Sequence, residues 1–345
     1  MDDCLKLIGR KTELFNEDLA GLENSTKKII ENSKFLVIGG AGSIGQAVVK
    51  EIFKRKPKKL SVVDISENNL VELVRDLRSS YGYIDGEFET LCLNINEVEF
   101  DLFLKQNNDF DYVLNLSALK HVRSEKDVFT LIRMIKTNII STRKIGESLV
   151  RDGCEKYFCV STDKAANPVN LMGASKKIME DFLFEISDKI NISSARFANV
   201  AFSDGSLLQS FINRLEKRQP LVVPNDIKRY FVTKKESGQL CLLSTLYGES
   251  RDIFFPKIRS DFRLIRLTEI LESFLESRKL KPFYCSTEDE ARSFFQNSKK
   301  SNFWPCYLSA SDTTGEKPFE EFYSDNEQLD IDSFKSIGVV KNSFG

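Results

Sequence analysis

The stretch KFLVIGGAGSIG, residues 34–45, constrains the fold more than any other part of the chain. KFLVIGG (34–40) is a continuous apolar run ending in glycine, the pattern of a strand buried on both faces. AGSIGQAVVKEIFKR continues at once with helical spacing. Gly39, Gly42 and Gly45 recur every three residues through the turn. In such a turn one glycine permits the tight bend, one lets a pyrophosphate approach the backbone, and one lets the helix pack on the sheet. The helix N-terminus at Ser43 and Ile44 would add unpaired N–H groups and a partial positive charge for that phosphate. A plain strand-to-helix turn would use glycines too, so the neighbouring segments must decide.

Those segments alternate repeatedly. KKLSVVDIS (58–66), FETLCLNIN (88–96), DYVLNLSA (111–118), KYFCVST (156–162) and ISSARFANV (192–200) read as further strands. NNLVELVRDLRSSY (68–81), the amphipathic segment from Val128 to Val150 and the segment carrying Lys176 read as helices. Parallel neighbours need crossovers, so the fold class is α/β, a doubly wound parallel sheet of the Rossmann kind. Residues 1–33 read as a helical extension serving as interface or lid, and 34–200 as the dinucleotide-binding domain. Beyond 200 the alternation weakens, with Pro220, Pro224, Pro256 and Pro282 breaking the chain. Residues 201–345 are therefore expected to form mostly a smaller C-terminal substrate lobe, part of it returning to the first domain.

Asp64 ends the second strand, 19 residues beyond Gly45. A carboxylate there accepts both ribose hydroxyls of NAD and repels the extra phosphate of NADP, so NAD is the expected cofactor. An ordinary exposed aspartate is the alternative. By the same geometry Asn94 and Ile95, past the third strand, border the adenine, or are plain loop residues. Ser117, Ala118 and Lys120, past the fourth strand, should border the nicotinamide half, because ligands collect at the carboxyl ends of strands. His121 beside them is either a ligand contact or a satisfied hydrogen-bonding residue.

Composition removes several classes. With 50 basic and 51 acidic residues the chain offers no positive field for nucleic acid or a membrane surface. No apolar run approaches the roughly 20 residues that span a bilayer, and MDDCLKLIGRKTELF lacks the order of a signal peptide. The single histidine leaves little for a zinc site or a serine–histidine hydrolase, and no metal is expected. The seven cysteines are scattered singly, Cys154 and Cys159 being nearest, which fits reduced thiols in a cytoplasm.

STDKAANPVNLMGASKK, 161–177, stands where a hydride-transfer enzyme keeps a tyrosine four residues before a lysine. Lys176 is present, but the earlier position is Met172. Tyr230 and Lys234 repeat the spacing past the sixth strand, where no nicotinamide edge is expected.

The glycine turn, NLSALKHV (115–122), TNIIST (137–142), STDKAANPVNLMGASK and RFANVAFSDGS (196–206) occur in one order. Together they resemble the extended short-chain dehydrogenase/reductase superfamily. Within it the chain resembles nucleotide-sugar 4,6-dehydratases of the capsular-polysaccharide type, which act on nucleotide-linked N-acetylglucosamine. The likeness covers about residues 34–240, with a further match at TGEKPFEEFY (314–323); DTTGEKPFEEFY is most similar to the dehydratase branch of bacterial legionaminic-acid synthesis.

The resemblance implies a lyase acting in three steps: hydride leaves the sugar C4 for NAD, water is lost across C5 and C6, and the hydride returns to C6. One branch of these enzymes carries methionine in place of the tyrosine and stays active, with C5 configuration tending to be retained. By the same resemblance Asp163 is the acid for the C6 hydroxyl and Lys164 the base at C5. Both would need perturbed ionisation, which an ordinary loop ion pair between them would oppose. Thr162 would bond the C4 oxygen, and Lys176 the nicotinamide ribose. Met172 would fill space against the sugar or nicotinamide, or simply pack in the core. Thr162, Asp163 or a water would take the C4 hydroxyl proton. Asn138 would support the site's architecture. Lys120, His121 and Asn199 are expected at the sugar and its phosphate, with Ser203 and Ser206 at phosphate or the substrate loop. Arg229 is expected at the diphosphate or base, and Glu316 at the nucleotide ribose. A nucleotide-sugar 4-epimerase, or a non-catalytic dinucleotide sensor, would use the same pocket. A homodimer is the default assembly.

Overall fold

The protein, described by a computed structural model for residues 2–297, 302–311 and 319–342, divides into two compact units. The larger comprises Leu14–Phe197, Lys235–Lys257 and Glu321–Gly345, the smaller Met1–Glu13, Ala198–Lys234 and Ile258–Glu320.

The larger unit is built on one nine-stranded sheet. Its strands are β1 (Lys34–Ile38), β2 (Lys59–Asp64), β3 (Glu87–Cys92), β4 (Tyr112–Asn115), β5 (Lys156–Val160), β6 (Asn191–Ala195), β7 (Asp252–Pro256), β8 (Gln328–Asp330) and β9 (Ile337–Lys341). Their order is β8-β9-β7-β6-β5-β4-β1-β2-β3. β1 to β7 run parallel, whereas β9 lies antiparallel to β7 and β8 antiparallel to β9. This is the Rossmann-type sheet expected from the alternation. The strand order reverses between β1 and β4, the place where such sheets open a crevice. Leu36, Ile38, Val113, Tyr157, Cys159 and Ile192 from the strands pack with Ile145, Leu149, Met179 and Leu183 from the helices.

Helix ends are set by local side chains. Ser66 Oγ accepts from Asn69 N at 3.3 Å to start Glu67–Tyr81, and Gly82, at φ 75°, ends it. The segment from Val128 onward is continuous to Asp152, as its periodicity implies, but Lys136–Ser141 is a π-turn. Such a turn inserts a residue into the helix and rotates the remainder of it about the axis.

The N-terminal residues are not one extension. The helix Asn16–Glu31 belongs to the larger unit. Its Glu23 bonds Arg55 at 2.9 Å, and its Asp18 accepts the Lys335 and Ser336 amides at 2.6 and 2.9 Å. The helix Asp2–Leu7 belongs to the smaller unit, where Leu7 and Ile8 enter the core.

The smaller unit carries a parallel three-stranded sheet in the order Lys281–Cys285, Phe303–Ser309, Leu221–Pro224. Leu208 and Phe211 of helix Leu207–Glu216 and Ile270 and Phe274 of helix Leu267–Ser277 pack with Leu221 and Val223. The run 192–200 divides between the units: Asn191–Ala195 enters the large sheet, while Asn199–Val200 pairs with Phe231–Val232. Among the described residues no helix is long and apolar enough to cross a membrane, and no group of three or more His, Cys, Asp or Glu could hold a metal ion.

Candidate active site

In the larger unit the carboxyl ends of β1, β2, β4 and β5 bring four sequence-predicted segments side by side. The glycine turn folds back on β2, Gly39 N and Gly40 N both donating to Val63 O at 2.7 and 3.1 Å. The three glycines have separate reasons. Gly39 has φ +72°, and a Cβ on it would lie 2.7 Å from Ser117 N. A Cβ on Gly45 would lie 2.1 Å from Gly39 O, so this position allows helix Ser43–Phe53 to close on the turn. Gly42 is different: a Cβ there would meet only Gly39 O, at 3.5 Å. The protein's own packing does not require glycine at 42. Gly40, part of the double glycine and unassigned by spacing, has Val62 Cγ1 at 2.3 Å from where a Cβ would stand.

Asp64 is partly buried, and both its oxygens meet backbone. Oδ2 accepts from Ala41 N at 3.0 Å and Oδ1 from Ser66 N at 2.9 Å. Each oxygen has further lone-pair capacity, so the carboxylate can brace the glycine turn and still accept ribose hydroxyls. Asn94 Oδ1 accepts from Asn96 N at 3.1 Å, and Ile95 is buried. Past β4, Asn115 Oδ1 accepts from Ser117 N and Oγ at 3.1 and 2.5 Å. This orients Ser117, with Ala118 following. Lys120 and His121 are exposed. Partial burial of the imidazole, then the Lys120 charge beside it, lowers the His121 pKa below its usual value.

Asn138 sits in the π-turn, fully buried. Its Oδ1 accepts from Leu119 N at 2.9 Å, and its Nδ2 donates to Leu119 O and Ser175 Oγ, each at 3.0 Å. One side chain thus fastens the β4 loop to the helix Leu171–Glu185. Glu125 makes a second fastening: Oε2 accepts from Leu171 N and Met172 N, at 2.9 and 3.3 Å. Asn170 Oδ1 completes the cap by accepting from Gly173 N at 2.8 Å. Neither Glu125 nor Gly173 stands out in the sequence, since neither belongs to a spaced pair.

Past β5, Thr162 Oγ1 donates to Asp163 Oδ1 at 2.7 Å. Lys164 Nζ meets both Asp163 oxygens at 3.2 Å. Asp163 is buried and Lys164 about one-third exposed. The pair is therefore an ion pair with Thr162 as its third member. Met172 is buried. Lys176 is buried and donates to Val160 O at 2.9 Å; burial pushes its ammonium down to about 8, against smaller opposing effects of Cys159 and Glu180. Beneath the same loop, Glu180 accepts from Ser161 Oγ at 2.6 Å and forms a two-pronged pair with the fully buried Arg196, at 3.0 and 2.6 Å.

The smaller unit holds the other expected residues. Asn199 Nδ2 donates to Glu320 Oε1 at 2.5 Å and faces Tyr230 O at 3.4 Å. Arg229, buried, has Nε 3.5 Å from Glu320 Oε1 and Nη1 2.8 Å from Lys228 O. Ser206 Oγ caps helix Leu207–Glu216 by accepting from Gln209 N at 3.1 Å, so its geometry is that of a cap. Ser203 is buried and donates through its backbone to Val200 O at 3.2 Å. Glu316 lies outside the described residues. Tyr230 packs its ring on Phe262, centroids 4.9 Å apart.

Comparison with known proteins adds relatives of several names. An uncharacterized membrane protein of Methanocaldococcus jannaschii is 29% identical, covering 90% of this chain and 86% of its own. Capsular polysaccharide biosynthesis protein CapD of Staphylococcus aureus is also 29% identical over 70% of this chain, which spans only 41% of CapD. A UDP-glucose 4-epimerase of Rickettsia bellii is 28% identical over 64% of this chain and 65% of its own. A UDP-N-acetylglucosamine 4,6-dehydratase (inverting) of Campylobacter jejuni is 27% identical, covering 67% and 69%. Among solved structures the fold is shared with DesIV of Streptomyces venezuelae, a dTDP-glucose 4,6-dehydratase solved with NAD bound. It has a TM-score of 0.63 and 15% identity over 84% of this chain and 88% of that one. Residues 35–294, spanning the glycine turn, the Thr162–Lys176 loop and helix and much of the smaller unit, match the family described as polysaccharide biosynthesis protein, and the chain belongs to that family.

Proposed function

We propose that the chain is an NAD-dependent enzyme that oxidises a nucleotide-linked hexose at C4, with water elimination across C5 and C6 as the outcome. NAD, when bound, supplies the hydride acceptor and later the hydride donor. Support for the cofactor comes from the open approach over Gly42 and from Asp64 at the end of β2. The observation that carries the dehydratase outcome is the triad of Thr162, Asp163 and Lys164, joined at 2.7 and 3.2 Å past the end of β5.

Each side chain has work it can do there. The Thr162 hydroxyl can hold the C4 oxygen. Lys176, buried near β5, brings a cation close to the developing C4 oxyanion and so favours loss of its proton. Proton transfer from Lys164 to Asp163 leaves a neutral amine and a carboxylic acid without changing the pair's net charge. The amine can then take the C5 proton while the acid protonates the departing C6 hydroxyl. Buried Met172, with no proton to give, leaves that traffic to the triad.

A second reading, C4 epimerisation, is favoured by the relatives named as UDP-glucose 4-epimerases. It needs C4 oxidation and return of hydride to C4, and gives Asp163 and Lys164 no C5 proton to remove and no C6 hydroxyl to protonate. The test is incubation of the NAD-loaded protein with UDP- and GDP-N-acetylglucosamine, with products read by mass spectrometry in heavy water. Loss of one water with deuterium at C5 is expected, while C6 receives the hydride that left C4. An isomer of unchanged mass would establish the epimerase instead, and no turnover of either sugar would end both. A place in legionaminic-acid or other surface-glycan synthesis rests on the resemblance of DTTGEKPFEEFY, of which residues 312–318 lie outside the described residues.

A further inference from the structure

In the larger unit, the loop past β4 is joined to the helix Leu171–Glu185 at two places. Asn138 holds Leu119 by its N and O, at 2.9 and 3.0 Å, and reaches Ser175 Oγ of the helix at 3.0 Å. Further along, Glu125 Oε2 accepts from Leu171 N and Met172 N at 2.9 and 3.3 Å. Those amides lie in the first turn of the helix, where N–H groups have no intrahelical acceptor. The next two amides are met by the helix's own cap, Gly173 N by Asn170 Oδ1 at 2.8 Å and Ala174 N by Asn170 O at 3.0 Å. Glu125 comes to the same end from another element, the short 3-10 helix Val122–Lys126. A carboxylate suits that end, which carries partial positive charge. Between the two joints Lys120–Ser124 forms a strap anchored at both ends on the helix that carries Met172 and Lys176.

We infer that Glu125 is a positioning residue for the cofactor: anchored on the Leu171 and Met172 amides, it keeps the Lys120–Ser124 strap closed on the nicotinamide half of NAD. This rests on NAD lying at the glycine turn and deepens that reading. The strap leaves the carboxyl end of β4, beside β1, where the strand order reverses and a dinucleotide seated on the turn extends across the sheet. Lys120 is the group the strap brings to that half, and Glu125 acts through it. Without Glu125 the strap keeps the Asn138 joint and loses the other, so its closed form becomes a minor part of the population and NAD binds correspondingly less tightly.

The test takes the full chain as wild type, Glu125→Ala, Glu125→Gln and Asn170→Ala through two measurements. In the first, brief trypsin digestion is mapped by mass spectrometry. Lys120 and Arg123 are exposed cleavage points on the strap, with Lys126 just past it. Glu125→Ala should be cut there about tenfold faster than wild type, because losing two charge-assisted bonds raises the open population by such a factor. Asn170→Ala weakens the same helix end but leaves the joint, so the strap should be cut at the wild-type rate. Glu125→Gln keeps an acceptor without the charge and should fall between wild type and Glu125→Ala. In the second, calorimetry compares NAD with ADP, which has no nicotinamide half. Glu125→Ala should bind NAD about tenfold more weakly and ADP as wild type does. Equal weakening of both nucleotides, or cleavage rising evenly along the chain, would mean that Glu125 serves stability alone and would overturn the inference. An unchanged tryptic pattern in Glu125→Ala, or a Glu125→Gln variant no better than Glu125→Ala, would do the same. Should wild type bind neither nucleotide, the NAD reading fails, and the cofactor role falls with it even where trypsin shows the anchor.

Discussion

Gly173 lies so close beneath Lys164 that a Cβ on it would stand 2.5 Å from the Lys164 carbonyl oxygen. The contact seats the Thr162–Lys164 loop directly on the helix that carries Met172 and Lys176. The Asp163–Lys164 pair and the buried Lys176 are therefore held in one rigid relation, and only the smallest residue permits it.

Gly173→Ala must push that loop away. Overpacking of this kind costs about 1–3 kcal/mol, and a shift of the loop degrades the alignment of reacting groups. We expect a lower urea midpoint and a turnover reduced about tenfold or more, with NAD affinity little changed. A variant with wild-type turnover would show that the contact has no role in the reaction.

Asp163→Asn separates the two outcomes of C4 oxidation. The amide keeps the shape but cannot act as an acid, so water loss should fall about a hundredfold or more. C4 oxidation need pass no proton to Asp163 if Thr162 or a water takes the hydroxyl proton. Reduced cofactor should then accumulate, seen as absorbance of the dihydronicotinamide. Full retention of product formation would count against the assignment of Asp163.

Lys176 gives a pH signature. Its folded-state pKa is lowered to about 8 by burial, whereas an unfolded lysine titrates near its ordinary value of 10.5. Between these values the unfolded chain binds the extra proton, so this group makes stability rise with pH in that window. Below about 8 its buried charge is a standing cost in the folded protein. Relative to Lys176→Met, wild type should gain about 3 kcal/mol from pH 8 to 10.5. Comparison with the variant is essential, because Lys156 is also lowered to about 8, and buried Cys159 and Tyr157 are raised and act in the opposite sense. Parallel stability curves for the two proteins would disprove the burial argument.

The Glu180–Arg196 pair, both side chains fully buried, is a further case of removal being worse than replacement. Glu180→Gln keeps an acceptor for the guanidinium but leaves Glu327 as its one charged partner among the described residues, beside the Phe322 carbonyl. Breaking such a pair costs about 3–5 kcal/mol, whereas replacing both members with apolar residues costs far less. Urea unfolding of Glu180→Gln and of Glu180→Met with Arg196→Met should show that order. Equal losses would indicate that the charges are not desolvated.

The legible part of the sequence is local. A buried strand, a glycine spacing and an acid at the next strand's end fix one another within some thirty residues, because the sheet's period and the helix's period leave visible patterns. The family likeness likewise draws Thr162, Asp163, Lys164 and Lys176 together. Tertiary structure alone decided the rest. The π-turn that buries Asn138 breaks no visible periodicity, since its neighbours remain apolar on one face. Gly173 and Glu125 matter through partners nine to forty-seven residues away. Residues 1–33 read as one helical extension, yet Asp2–Leu7 and Asn16–Glu31 join different units, because each apolar face is buried where the folded chain offers a matching surface. The amide orientation of Asn199 is set by Glu320, 121 residues further on. A hydrogen bond that long in sequence depends on the whole chain having folded, and so leaves no trace in the spacing of the residues that make it.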